Sequence, residues 1–525
     1  MLRTQSPSKP PPPMSHFPEH PVNSPTPQTP PLGHAGVHDP ANSDQSERET
    51  GTRVSCSMLH VDGRNIVNEA GQAVILKGAG LGGHLNMENF VSGYPGHEYQ
   101  FRQALADTIG VDKAEYYFDR YLYHFFTEQD ADFFASLGLN CVRVPFNYRH
   151  FIDDSNPEVI KQKGFEYLDR VVEICARHNL YAILDLHTAP GGQNQDWHCD
   201  SGSSKALFWE FRALQDQMID LWVEIAKHYI GNPVVAGYNV LNEPADEKHI
   251  RLQEWYARVE KAIREIDPDH ILFLEGNTYS MDFTHFKDLL PNAVYACHDY
   301  SKMGFPIAGQ TPYGGSQEQK TKLRSQFERK VSFMREHKVP IWNGEFGPVY
   351  ADPAEDKDAD TTNLARYRLL QEQLRIYEES EVHWTIWLYK DIGYQGMVFV
   401  DPESAYMKLI KPFVKKKQAL ALDFWGSTSK DQIHEDVYAP FFAKMKQMVP
   451  EHLQGKKYPK IFNFERQFER VIRECLLSEY MVWEFAELFK NKTEQELDEL
   501  AQSFRLEHCV KRQGLNSILR HDASL

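Results

Sequence analysis

The chain has 525 residues, 41% of them hydrophobic and 12% aromatic. This is enough for one large barrel or for two to four ordinary domains around a sizeable core. The formal net charge of −17 disfavours nucleic acids and anionic membranes as partners, and it fits a neutral or cationic substrate.

The cysteines and the apolar runs of the sequence indicate the cellular compartment of the protein. The seven cysteines have no CxxC spacing, and several fall within apolar elements, which favours a reducing compartment and no disulfide framework. The N-terminus has no apolar core typical of a signal peptide, and no apolar run is long enough for a transmembrane helix. We therefore expect a cytoplasmic protein without a membrane span.

Residues 1–53 are predicted to be a disordered tail. They are rich in Pro, Ser, His and Thr, with four consecutive prolines from Pro10 to Pro13. Such a composition buries too little apolar surface to offset the entropy cost of ordering the chain. Several PxxP matches fit the ligand pattern of SH3-type domains, although a solvated tail is the simpler interpretation.

Residues 54–421 are predicted to form a (β/α)8 TIM barrel. After a hairpin signal around Asp62–Gly63, apolar strands alternate with amphipathic helices. Eight strands are predicted at 74–78, 140–146, 181–187, 234–241, 270–275, 293–298, 339–346 and 383–388. Helices are predicted at 127–137, 165–178, 205–229, 247–266, 316–337, 362–379 and 405–417, and a short segment at 286–290 follows the fifth strand. Each crossover is long enough for a helix, as a parallel barrel requires.

A doubly wound open sheet is the alternative fold. It would carry a glycine-rich phosphate turn after an early strand, which Gly78–Gly83 superficially offers. No helical pattern opens directly after this run, so we discount a dinucleotide site. Residues 422–525 are predicted to be a helical extension that packs on the outside of the barrel, with helices at 436–449 and 462–490 and a capped helix opening at Thr493.

Polar residues end six of the eight predicted strands. In a parallel barrel these ends meet at one face, where active sites lie. The residues concerned are Arg143, His187, Asn242, Glu243, His298, Tyr300, Glu345 and Trp387. Each alone has an ordinary structural explanation, such as a core histidine or a solvated glutamate, but together they predict an active site.

These residue types suit a retaining glycosidase, which uses two carboxyl groups about 5–5.5 Å apart. Glu345 is the expected nucleophile, kept ionised by Arg143 and hydrogen-bonded by Tyr300. Glu243 is the expected acid/base.

The remaining residues are expected to hold the sugar. Asn242 would bind its 2-hydroxyl, His187 and His298 would contact hydroxyls or orient the glutamates, and Trp387 would form the floor of the subsite. No metal motif is present, so we expect neither a metal nor another cofactor.

At these residues the sequence resembles glycoside hydrolase family 5 and, within it, the fungal exo-β-1,3-glucanases (glucan 1,3-β-glucosidases). The resemblance covers about residues 58–420 and lies in the stretches 78–88, 142–145, 185–194, 201–202, 241–244, 298–300 and 344–347. It implies that Glu243 is the acid/base, that Glu345 is the nucleophile, and that Glu88 and Asn194 contact the non-reducing-end sugar and close the pocket. His84 stands where those enzymes usually have Trp, the loop at 196–199 differs, and the helical extension has no counterpart in them.

Three hypotheses follow. The first is an exo-acting retaining hydrolase of β-1,3-glucan or a related β-glucoside. The second is the same barrel with an endo-acting cleft or a glycolipid substrate, decided by the loops around His84, Glu88 and Trp197. The third is a carbohydrate-binding scaffold without catalysis, which the presence of both glutamates argues against.

Overall fold

The computed structural model describes residues 56–307, 309–422, 432–454 and 464–524. The predictions for residues 1–53 lie outside them. The strands are β1 Leu59–Asp62, β2 Asn65–Asn68, β3 Lys77–Gly80, β4 Cys141–Asn147, β5 Ile152–Asp153, β6 Asn156–Ile160, β7 Tyr181–Thr188, β8 Val235–Asn239, β9 Ile271–Glu275, β10 Ala293–His298, β11 Ile341–Glu345, β12 His383–Ile386, β13 Lys390–Asp391, β14 Val398–Val400 and β15 Cys509–Lys511.

The helices that precede the end of the barrel are α1 Asn89–Ser92, α2 Glu98–Ile109, α3 Val111–Phe125, α4 Glu128–Ser136, α5 Gln162–Arg177, α6 Arg212–Tyr229, α7 Arg251–Arg264, α8 Asn277–Ser280, α9 Gln317–His337, α10 Ala359–Glu378 and α11 Ala405–Ala419. The C-terminal helices are α12 Ala439–Gln447, α13 Glu451–Gln454, α14 Phe464–Glu469, α15 Ser478–Glu487, α16 Glu494–Gln502 and α17 Gln513–Ala523, with π-helical segments at His434–Tyr438 and Arg470–Leu477.

Eight parallel strands close into a barrel in the order β3-β4-β7-β8-β9-β10-β11-β12, and β12 pairs with β3. The predicted TIM barrel is therefore confirmed. Its strands are buried, except for the half-buried Lys77 at the start of β3, because helices cover them outside and side chains fill them inside. The hairpin β1–β2 closes the N-terminal end, where Leu59 and Ile66 join a core that includes Cys141 and Trp342.

The crossover between β9 and β10 is the one for which the sequence predicts only a short segment, at 286–290. No helix forms at 286–290; the crossover holds only the single turn α8, in which Thr278 and Tyr279 adopt left-handed backbone angles. Packing supplies the reason, because Phe283 and Phe286 insert against Phe333 of α9 at ring separations of 5.2 and 5.8 Å. Two aromatic anchors thus hold this segment in an irregular path.

The predicted helical C-terminal region is present, and it packs against α2 and α3. Phe485 lies 5.2 Å from Phe101, and Phe504 lies 4.8 Å from Tyr121, measured between ring centroids. Strand β15 pairs antiparallel with β14, which follows the last barrel strand. Aromatic rings contribute large apolar areas, so these contacts attach the region to the barrel over a shared core.

None of the helices in the described part of the chain combines the length and apolar character that a bilayer crossing requires. All seven cysteines carry free thiols.

Candidate active site

The carboxyl ends of the barrel strands bring together all ten residues that the sequence singled out. Arg143 lies on β4, His187 on β7, His298 on β10 and Glu345 on β11. Within four residues of the end of a strand come Asn242, Glu243, Tyr300 and Trp387. Glu88 and Asn194 reach the same place from the loops after β3 and β7. Nine of the ten are linked to one another by the contacts described below, and Glu88 Oε1 lies 3.9 Å from His187 Nε2.

Glu243 and Glu345 face each other across a short gap. One carboxylate oxygen of each lies within 4.8 Å of the other, and both lie within the same distance of a ring nitrogen of His298. A pair of this spacing matches the about 5–5.5 Å of retaining glycosidases and is too close for the about 6.5–9.5 Å of inverting ones. A gap of this size suits direct attack of one carboxylate on an anomeric carbon while the other carboxyl group serves the leaving oxygen.

The environment of Glu345 favours the ionised carboxylate. Arg143 Nη1 donates to one oxygen at 2.5 Å and the Tyr300 hydroxyl donates to the other at 2.8 Å. Burial alone would raise the pKa of Glu345, but the charges of His298 and Arg143 outweigh burial and bring the pKa below its ordinary value. An ionised carboxylate is the form that attacks an anomeric carbon.

The environment of Glu243 has the opposite effect. Burial raises its pKa above the ordinary value, despite a 2.7 Å hydrogen bond with His298 Nδ1. His198 Nε2 lies 3.4 Å from its other oxygen. Two carboxyl groups with pKa values moved apart in this way can divide into an acid and a nucleophile.

His298 joins the two glutamates, and Glu275 holds it charged. Burial would lower the pKa of His298, but the negative charges of Glu275 and Glu345 raise it to about 10. Glu275 itself lies 3.5 Å from His298 Nε2 and 3.2 Å from Arg143 Nη2, and it accepts a 2.7 Å hydrogen bond from the Glu243 N–H. Burial would raise the pKa of Glu275, but His298 and then Arg143 lower it to about 2.

Glu275 is a member of this site that was not predicted from the sequence. The signal was present, because Glu275 ends the fifth predicted strand just as Glu345 ends the seventh. Asp185 was missed as well. It lies inside β7, 3.0 Å from Arg143 and 2.8 Å from His187 Nδ1, and burial raises its pKa to about 8.

A stacked pair of rings lies beside the glutamates. His187 and Trp387 are parallel to within 3°, with centroids 5.3 Å apart. Burial and the charge of Arg143 hold the pKa of His187 well below its ordinary value, so the ring is neutral. With Nδ1 facing Asp185, Nε2 accepts from the Asn242 amide at 3.3 Å, while the Asn242 oxygen accepts from Arg143 at 2.6 Å.

The loops after β3 and β7 meet above this pair. Trp197 Nε1 donates to Glu88 Oε2 at 3.2 Å, and burial followed by the charge of Glu345 raises the pKa of Glu88 well above its ordinary value. The Asn194 amide donates to the Glu243 carbonyl at 2.8 Å and lies 2.8 Å from His198 Nε2. Asn194 therefore fixes the Glu243 backbone.

His84, which stands where the exo-β-1,3-glucanases usually have Trp, points away from this loop contact. Its Nε2 lies 3.0 Å from the Leu122 carbonyl, and its ring packs on Phe125. Burial lowers the pKa of His84 to about 3, so this is a neutral core histidine attached to α3.

Two facing glutamates at the carboxyl edge of a closed parallel barrel define a glycoside hydrolase. A family model described as Cellulase (glycosyl hydrolase family 5) matches residues 106–393. The chain belongs to glycoside hydrolase family 5 and acts on β-glycosides, which confirms the broader part of the sequence resemblance.

Individual relatives differ in their named substrates. The chain is 51% identical over 472 residues to a beta-xylosidase of Phanerodontia chrysosporium, covering 89% of this chain and 98% of that protein. It is 26% identical over 309 residues to endoglucanase C of Acetivibrio thermocellus, covering 52% of this chain and 86% of that protein. It is 24% identical over 356 residues to probable glucan 1,3-beta-glucosidase A of Neosartorya fischeri, covering 61% of this chain and 84% of that protein. The narrower resemblance to the glucan 1,3-β-glucosidases is thus distant.

Proposed function

We propose that the protein is a retaining β-glycosidase that releases single sugars from the non-reducing end of a β-glucoside, such as a β-1,3-glucan or a related β-glucoside. The observation that carries this proposal is the separation of Glu243 and Glu345, whose nearest oxygens lie within 4.8 Å. Glu345 attacks the anomeric carbon to form a glycosyl-enzyme, and Glu243 protonates the departing oxygen.

The second half of the reaction uses the same two residues. Having given up its proton, Glu243 takes one from a water molecule, which attacks the anomeric carbon and releases Glu345. His298 stays protonated, with a pKa of about 10, and steadies both carboxylates as their charge changes. Arg143 keeps its positive charge through both half-reactions because a guanidinium is not deprotonated in proteins.

The loop contact between Glu88 and Trp197 supports exo action. The two side chains meet at 3.2 Å and are both buried, so they close one side of the site above the stacked His187–Trp387 pair. A closed end admits a terminal sugar and blocks a chain that continues past it. Glu88, whose pKa burial raises well above its ordinary value, would hydrogen-bond that terminal sugar.

A second candidate is a β-xylosidase. It is favoured by the 51% identity to a protein of that name over nearly its full length. Xylose lacks the hydroxymethyl group of glucose, and a pocket distinguishes one small group by about 1–3 kcal/mol, or 10- to 200-fold in kcat/KM. The two candidates are therefore separable by rate even if both sugars react.

The decisive experiment is a substrate panel analysed by product size and anomer. The panel contains 4-nitrophenyl β-glucoside and β-xyloside, laminari- and xylo-oligosaccharides, and a β-glucosyl lipid. We expect glucose as the sole sugar released, first seen by NMR as the β-anomer. Xylose released at a higher kcat/KM favours the second candidate, whereas mixed oligomers indicate an endo-acting cleft.

Glu345→Gln provides the matched control, since it keeps the shape of the side chain and removes the nucleophile. Turnover should be lost while thermal unfolding changes little. Unchanged turnover in this variant, an α-anomer as first product, or sugar binding without hydrolysis across the panel would each reject the proposal.

A further inference from the structure

A buried arginine from the C-terminal region reaches the loop that follows β7. Arg470 opens the π-helical segment Arg470–Leu477 and is 2% exposed. Its Nη1 donates to the carboxylates of Asp196 and Glu474, the latter at 3.0 Å. Its guanidinium also lies 5.0 Å from the ring centre of Trp197, a cation–π distance.

The loop residues that Arg470 contacts stand directly beside the reacting groups. Asp196 begins the single helical turn Trp197–Cys199 and accepts from the Trp197 N–H at 3.3 Å. Trp197 donates to Glu88, and the next residue, His198, lies 3.4 Å from a Glu243 oxygen. Two consecutive side chains thus lead from Arg470 to the pocket wall on one side and to the proposed acid/base on the other.

The same C-terminal segment lines a cleft next to Glu243. The cleft has a volume of about 320 Å³, and its walls include Gln467 and Val471 from the C-terminal region together with Gln195, Ala245 and Arg251 from the barrel loops. Ala245 lies two residues after Glu243. The C-terminal region therefore touches the loops after both β7 and β8 near the catalytic edge, in addition to covering α2 and α3.

Burial makes this contact specific. Arg470, Asp196, Trp197 and Glu474 are all less than a tenth exposed. A buried charge pair is costly to form and is strongly disrupted when one partner is removed, so it fixes geometry more than it adds net stability. An exposed pair in the same region, Lys416 with Glu484, has no such constraint.

We propose that Arg470 is a positioning residue for hydrolysis. It clamps the Asp196–Cys199 turn so that Trp197 holds Glu88 and His198 stays beside Glu243, which makes the C-terminal region part of the active site. This inference rests on the proposed function, because the groups being positioned are its pocket wall and its acid/base.

The test compares Arg470→Ala with Arg473→Ala in the full-length chain. Arg473 belongs to the same π-helical segment, is equally buried and donates to the Ala421 carbonyl at the end of the barrel. Both variants remove a buried arginine, and both should lower Tm. Only Arg470→Ala should lower kcat/KM by tenfold or more, because misplacement by about 1 Å costs up to about a hundredfold in rate.

Three further measurements separate positioning from stability. The loss in Arg470→Ala should be larger for an alkyl β-glucoside than for a dinitrophenyl β-glucoside, because only the poor leaving group depends on the acid. Hydrogen–deuterium exchange in residues 193–204 should rise in Arg470→Ala and stay unchanged in Arg473→Ala. Arg470→Lys should recover part of the activity, since it keeps the charge but loses the planar fork.

Equal kinetic losses in the two alanine variants at equal Tm, or unaltered exchange in residues 193–204, would overturn the clamp. If Arg470→Ala does not fold, Arg470→Lys and Asp196→Asn carry the same comparison. A wild-type chain that hydrolyses no glycoside would reject the proposed function instead, and the exchange experiment would still decide whether Arg470 orders the turn.

Discussion

Gly82→Ala tests whether Trp387 is the floor of the sugar subsite. A Cβ added at Gly82 would lie 2.5 Å from Cζ2 and 2.7 Å from Cη2 of the Trp387 ring. An ordinary contact begins at 3.4 Å, so the ring must move by 3.4 − 2.5, or about 0.9 Å. Displacement of a positioning group by about 1 Å costs up to about 10²-fold in rate.

We therefore expect kcat/KM for 4-nitrophenyl β-glucoside to fall between about 10- and 100-fold, while overpacking lowers the unfolding free energy by about 1–3 kcal/mol. The matched control is Gly314→Ala, whose added Cβ would find its nearest neighbour at 3.7 Å, so both quantities should stay at wild-type values. If Gly82→Ala reacts within twofold of wild type, Trp387 does not support the sugar.

Three further variants test the electrostatics. Arg143→Ala leaves buried carboxylates without their cation and should lower the unfolding free energy, measured in urea, by about 3–5 kcal/mol. The control is Arg324→Ala, which removes an exposed ion pair and should cost less than about 1 kcal/mol. A loss below about 1 kcal/mol at Arg143 would contradict this reasoning. His298 lowers the pKa of both Glu345 and Glu243, so His298→Gln raises both and should move both limbs of the kcat/KM–pH profile to higher pH; an acid shift would refute the assignment. Glu243→Gln should cost about 10²–10⁴-fold with alkyl glucosides and far less with dinitrophenyl glucosides, and equal losses on both would exclude an acid role.

The barrel strands were predictable because burial on both faces gives continuous apolar runs. The prediction was poorest for β3, placed at 74–78 where the structure has Lys77–Gly80. This strand is built from small residues for steric reasons that hydropathy does not record. A Cβ at Gly78 would lie 1.9 Å from the Cys141 carbonyl oxygen, and one at Gly80 would lie 2.8 Å from Trp387.

Helices α2 and α3 between the first two barrel strands were also absent from the prediction. Their start signals are unusual, because α2 is capped by His97 with Gln100 rather than by Ser, Thr, Asp or Asn, and α3 follows Gly110 directly. Much of their apolar face is satisfied by Phe485, Phe489 and other side chains from the C-terminal region. A helix whose partner lies hundreds of residues away carries little local evidence of its packing.

The residues of the catalytic edge were predictable because they end strands, but the contacts among their side chains were not. Spacing along the chain placed Glu243 and Glu345 on the same face of the barrel. It gave no means of knowing that Glu275 lies against His298, or that Arg470 reaches the turn after β7 from 274 residues away. Such contacts depend on side-chain reach across the closed barrel.

Charge balance gives a physical reason for the acid role proposed for Glu243. Five carboxyl groups lie at the edge, and two cations, Arg143 and His298, lie among them. Two carboxyl groups, Glu275 and Glu345, have lowered pKa values, and their charges offset the two cations.

The other three carboxyl groups, on Glu88, Asp185 and Glu243, have raised pKa values, each with burial as the largest cause. Arg143 and His298 are already offset by Glu275 and Glu345, so a third negative charge in this buried region is disfavoured and the neutral form of these three groups is favoured. In the proposed reaction, formation of the glycosyl-enzyme removes the charge of Glu345 as Glu243 gives up its proton, so the net charge of the edge does not change. The two cations therefore set the number of ionised carboxylates at the edge to two. One stays on Glu275, and the proposed reaction moves the other from Glu345 to Glu243 and back.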